Sequence, residues 1–145
     1  MILFAYAPKP FLLSEYNAAD MRRITVDRLM VVHRSAIVSG MMDELKLKDA
    51  VRDIGTLEYI VEKANSIRDD LSRAAFLLYS IANYHPFVEG NKRTAFLMAG
   101  VVSKKCDLKE EAHESNIMIR KIAAGEMDEE GVKRWIEEKF FKTTH

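Results

Sequence analysis

From Thr25 onward the apolar residues fall at intervals of three and four: Val26, Leu29, Met30, Ala36 and Ile37, with His33 on the same stripe and Gly40 placed to stop the run. The spacing predicts one amphipathic helix. The pattern returns between Asp70 and Tyr84, where Leu71, Ala74, Ala75, Leu78 and Ala82 form the stripe. Phe76, Leu77 and Ile81 add apolar side chains on other faces, so this second helix is expected to be largely buried. Asn91 to Cys106 carries Phe96, Leu97, Met98, Ala99, Val101 and Val102 almost without polar relief, the pattern of a central helix wrapped by others. Another helix is expected from about Glu110 to Ala124, closed by Gly125. A last one follows Asp128, with Glu129 and Glu130 in its first turn, Val132, Trp135, Ile136 and Phe140 on its apolar face, and Lys139 and Lys142 at its far end. Cap and charges there agree with the helix dipole. Alternation at period two is confined to a short piece near Ile2 to Ala5, so the chain is expected to be all-α, a compact single-domain helical bundle.

Composition narrows the function classes. The chain has 145 residues, 48% of them apolar, enough for one domain with a sizeable core. Acids and bases balance at 22 each, which removes the overall positive field used by sequence-independent nucleic-acid binders. No direct nucleic-acid binding is expected, and any phosphate site must be local. Cys106 is the single cysteine, which excludes an intramolecular disulfide framework and fits a reducing, cytoplasmic setting; Cys106 itself reads as core. The partly apolar start, Met1 to Leu13, is broken by Lys9 and two prolines and reads as neither a signal nor a membrane span.

The chemistry is concentrated in His85-Pro86-Phe87-Val88-Glu89-Gly90-Asn91-Lys92-Arg93-Thr94, between two of the buried helices. Pro86 disfavours helical geometry at His85, so the preceding helix should end at Tyr84 and present the imidazole at its C-terminal edge. Gly90 permits a turn that a Cβ would obstruct, and Asn91 is a suitable N-cap for the next helix. The amides of the following residues would then face out of a helix start, where anions bind. Lys92 and Arg93 put two cations at the positive end of that dipole, a conflict that a polyphosphate would resolve. Glu89 could hold Mg²⁺ against phosphate oxygens. A neutral His85 could accept a hydroxyl proton. An ordinary solvated helix start with weak ion pairs accounts for the same residues, and only their combination favours a phosphate site. His33 reads as a hydrogen-bonded core histidine, and His113 and His145 as surface residues.

The run from His85 to Ala95 resembles the signature of the Fic/Doc superfamily: His, any residue, Phe, any residue, Asp or Glu, Gly or Ala, Asn, Gly or Lys, Arg. Two more stretches resemble its Doc (death on curing) branch: Arg52-Asp53-Ile54-Gly55-Thr56-Leu57-Glu58, and Ile122 to Met127 followed by Trp135. The resemblance implies a Fic/Doc-like domain of about six helices over residues 25–142, with residues 1–24 an extension of open role. Fic enzymes transfer AMP from ATP to a protein hydroxyl, and their motif has glycine after Asn and ends Arg-x-x-Arg. Here Lys92 replaces that glycine and Phe96 stands at the second arginine, as in Doc proteins, which resemble Fic enzymes but bind the nucleotide in the reversed sense and transfer its terminal phosphate. The resemblance therefore implies a toxin-type protein kinase using ATP and Mg²⁺. In it His85 and Lys92 are catalytic, Gly90, Asn91, Lys92 and Arg93 bind phosphate, and Glu89 holds the metal. AMP transfer by the same site, and an inactive Fic-fold binding module, are the alternatives. Gly90 leans toward the AMP-transferring branch, since the best-known Doc loop has alanine there.

In the superfamily the stretch corresponding to Met41–Thr56 is a flap that pairs with the target's backbone, a form of strand addition. By that resemblance Arg52, Asp53, Ile54 and Gly55 would face the target; a purely structural hairpin is an equal reading of the residues. The inhibitory helix of many Fic proteins has Ser or Thr, three residues, then Glu and Gly or Asn. Its nearest counterpart here, Glu130-Gly131, has Glu126 at the hydroxyl position. Control in cis is not expected. A small antitoxin acting in trans and a protein substrate of the elongation factor Tu type are the partners the resemblance implies.

Overall fold

The computed structural model describes residues 23–38, 50–103 and 113–141. The expectations for residues 1–22, for most of the flap (41–49), and for Cys106, the side chain of His113, and His145 fall outside these residues. The described chain is helical: α1 (Val26–Val38), α2 (Ile54–Ser66), α3 (Asp70–Tyr84), α4 (Asn91–Ser103), α5 (His113–Ala123) and α6 (Glu129–Ile136). A π-helical turn, Glu137–Phe141, continues α6. The expected last helix thus gives up regular α geometry after Ile136, before Lys139.

Short polar side chains start the helices. Asp53 accepts the amide of Thr56 at 3.2 Å, Asp69 that of Ser72 at 2.9 Å and Asp128 that of Gly131 at 2.8 Å. Each removes one orphan donor from a first turn. These bonds favour the charged carboxylates, and Asp53 and Asp69 lie below the usual range chiefly for that reason. Gly125, at φ +78°, closes α5, with the amides of Gly125 and Glu126 returning to the carbonyls of Ile122 and Lys121.

The apolar stripes meet in one core. Helix α4 lies against α3, its neighbour across the 85–90 loop, and α1 covers α4 from another side. Helices α2, α5 and α6 pack on α3. Leu77, Leu78 and Ile81 of α3 and Ala95, Phe96, Met98 and Ala99 of α4 are essentially inaccessible to water, as both patterns required. Asn65 ties the entry of α1 to α2: its amide donates to the Ile24 carbonyl and accepts the Ile24 amide, both at 2.8 Å. No helix among the described residues is long and apolar enough to cross a membrane.

Candidate functional site

Helix α3 ends where Pro86 requires. His85 is its C-cap, with φ 53° and ψ 62°, the one non-glycine residue with positive φ among the described residues. The left-handed cap, rather than an extended residue, turns the chain out of the helix, and the His85 side chain is exposed at the turn. The chain then passes inward. Phe87 is fully buried and forms an isolated antiparallel bridge with Val51, and the amide of Val88 donates to the Ala50 carbonyl at 2.8 Å.

Three residues hold this loop from beneath. His33 of α1 is 1% exposed; its imidazole stacks on Phe87, with ring centroids 3.9 Å apart, and Nε2 donates to the Glu89 carbonyl at 2.9 Å. Burial pushes the His33 imidazole down to about 4, so it is neutral near pH 7, and the bond to a carbonyl assigns its proton to Nε2. Gly90 has φ +82°, and a Cβ there would come within 2.6 Å of Ile37 Cγ2. Glycine is needed both for the turn and for the approach to α1. Asn91, expected to cap α4 or to hold phosphate, instead turns its side chain back. Its Oδ1 accepts the Phe87 amide at 3.0 Å and its Nδ2 donates to the Phe87 carbonyl at 2.9 Å. The cap position falls to Gly90, whose carbonyl receives the first bond of α4, from the amide of Thr94.

The amides of Asn91, Lys92 and Arg93 precede that first bond, in the first turn of α4. Glu89, Lys92 and Arg93 are exposed around it. Lys92 Nζ donates to Asn116 of α5 at 2.5 Å, and Arg93 reaches the Ala36 carbonyl at the end of α1 at 3.4 Å. The structure therefore brings His85, Glu89, Gly90, Lys92 and Arg93 to one exposed turn, with Asn91 beneath it as its clasp. Among the described residues no group of three or more His, Cys, Asp and Glu is placed to bind a metal by itself. Mg²⁺ bound mainly through substrate phosphates needs only one or two protein carboxylates, and the exposed Glu89 fits that demand.

Of the four residues expected to face a target, Arg52 and Asp53 make intramolecular side-chain bonds, while Ile54 keeps an exposed side chain. Ile54 and Gly55 begin α2, and Asp53, its extended N-cap, leads into the helix, so the segment turns helical within the expected flap. Arg52 Nε donates to the His85 carbonyl at 2.7 Å and its Nη2 to the Tyr84 carbonyl at 2.6 Å. Sequence spacing could not reveal this link, since its ends are 32 and 33 residues apart. A cleft of about 370 Å³ between Asp53, Gly55, Thr56, Tyr59 and Tyr84 opens beside the same turn.

Residues 23–102 match the model of a protein family described as the Fic/DOC family. No curated protein matches the chain.

Proposed function

We propose that this chain, which belongs to the Fic/DOC family, is a protein kinase of the Doc type that moves the γ-phosphate of ATP to a hydroxyl of a target protein. The observation that carries the reading is the pair of positions 92 and 96. Lys92 is exposed in the first turn of α4 and occupies the place where AMP transfer calls for glycine. Phe96, at the place of the second arginine, is 1% exposed and packs edge-on against Trp135, so position 96 belongs to the core. The feature that leaned toward AMP transfer has a local explanation, because the φ of Gly90 and its approach to Ile37 favour glycine in this chain independently of the reaction.

In this reading His85 takes the proton of the target hydroxyl as its oxygen attacks the γ-phosphorus. The bond from that phosphorus to the β-γ bridging oxygen breaks and ADP leaves. Lys92, Arg93 and the first-turn amides of α4 hold the phosphates and offset the charge that builds on the transferred group. Mg²⁺ held by Glu89 and the nucleotide would supply further neutralisation. The reading includes a translation elongation factor as target and an inhibitor acting in trans.

The test incubates the protein with Mg²⁺, a target extract and ATP labelled at either the γ- or the α-phosphate. A protein band should take label from the γ-position alone. His85→Ala should reduce it by about a hundredfold or more with ATP binding retained, and Lys92→Gly should weaken it. Label from the α-position alone moves the chain to the AMP-transferring branch. Label from neither, with candidate targets present and ATP bound, favours a binding module.

A further inference from the structure

Arg52 lies outside the signature loop, yet its side chain bonds to Tyr84, just before the loop, and to His85, its first residue. Nε reaches the carbonyl of His85 and Nη2 that of Tyr84, at 2.7 and 2.6 Å. The backbone of Arg52 is fixed as well, because its amide donates to the Pro86 carbonyl at 2.7 Å, and that carbonyl also receives the Asp53 amide at 3.2 Å. On one side Val51 bridges to Phe87, and on the other Asp53 caps α2. The guanidinium is thus delivered from a rigid base to the C-terminal end of α3, where carbonyls lack helical partners and the dipole favours a cation.

We propose that Arg52 is a positioning residue for His85, holding its backbone in the left-handed cap from which the imidazole is presented, and not a contact for the target. Arg52 is exposed, so water could satisfy the same two carbonyls if the side chain were absent. What water cannot supply is a planar fork that fixes two successive carbonyl directions at once. A residue at positive φ without glycine's freedom depends on such external bonds to stay in one conformation. A lysine could reach one carbonyl but could not reproduce the fork.

The role in catalysis rests on the function proposed above, and the test separates the two. Backbone chemical shifts of Tyr84, His85 and Phe87 are recorded by NMR for the wild type, Arg52→Ala and Arg52→Lys, alongside γ-phosphate transfer kinetics. In Arg52→Ala the His85 shifts should move toward exchange-averaged values, and kcat should fall roughly ten- to a hundredfold, with little change in the KM for ATP or target. Arg52→Lys should fall between, and guanidinium ion added below denaturing concentration should restore part of the rate of Arg52→Ala. His85 shifts that stay in place in Arg52→Ala overturn the proposal whatever the activity. A rise in target KM at unchanged kcat also overturns it, since that is the behaviour of a target contact. If the wild type transfers no phosphate the kinase reading fails, while the shifts still decide whether Arg52 holds His85.

Discussion

His33 offers a test of the site's foundation that needs no substrate. It is buried and neutral, with burial lowering its pKa most and the neighbouring positive charge of Arg34 adding to the effect, while its bond to the Glu89 carbonyl works the other way. The folded value of about 4 lies below the 6.5 of a free imidazole. Below pH 6.5 the unfolded chain therefore binds a proton that the native chain refuses, and stability is lost as pH falls from there toward 4. Linkage puts the loss at about 0.8 kcal/mol at pH 6 and about 2 kcal/mol at pH 5, relative to pH 8. Urea unfolding at these three values, in the wild type and in His33→Phe, isolates this contribution. The variant keeps a ring against Phe87 but leaves the Glu89 carbonyl without its donor, and should start about 1 kcal/mol less stable at pH 8. Its profile should nevertheless be flatter, so that the gap closes or reverses by pH 5. Other groups titrate in both proteins and cancel in the comparison. Asp53 and Asp69, held below their usual range, lose their contribution only in stronger acid; Glu129, raised by burial, gains stability as it protonates. Parallel profiles between pH 8 and pH 5, or a His33 ring that titrates near 6.5 in the native protein, would refute a buried neutral imidazole.

Two further substitutions probe the loop. Asn91→Ala removes both partners of the buried Phe87 backbone, and should cost roughly 2–4 kcal/mol in urea unfolding; a loss below about 1 kcal/mol would show that the clasp is dispensable and return Asn91 to the role of a ligand. Gly90→Ala combines a left-handed backbone, worth about 1–2 kcal/mol, with a Cβ crowded against Ile37, so its melting temperature should drop well beyond that of an ordinary surface substitution. An unchanged melting temperature would mean that the turn relaxes freely.

The contrast between what was and was not legible in the sequence follows the range of the interactions. Asp70–Tyr84 could be bounded from its stripe and from Pro86 alone, because both signals act within a turn or two of the residues they govern. His33 was readable as a core histidine from its stripe, and Gly125 as a stop from its place after the helix. Asparagine at a helix start usually caps the helix or binds an anion, and the sequence points Asn91 to those roles. Its side chain turned back to Phe87, whose backbone groups the loop buries and must satisfy. From the sequence, Arg52 belongs to a partly exposed segment. Its partners lie far along the chain, and only the packing of that segment on the loop reveals them. Gly90 was legible as a turn residue, but the neighbour that forbids a side chain, Ile37, is on α1.

The left-handed backbone of His85 sets the interests of the site against those of the fold. Glycine or asparagine would occupy that cap with less strain, by about 1 kcal/mol for glycine, and would leave the bonds from Arg52 to the two carbonyls available. A library of variants sorted for thermal resistance alone should therefore enrich replacements at position 85, discarding the imidazole while improving the scaffold. The same library sorted for phosphate transfer should return histidine. Position 85 is thus where the two sortings should diverge, and that divergence would identify a working residue without any substrate-bound structure.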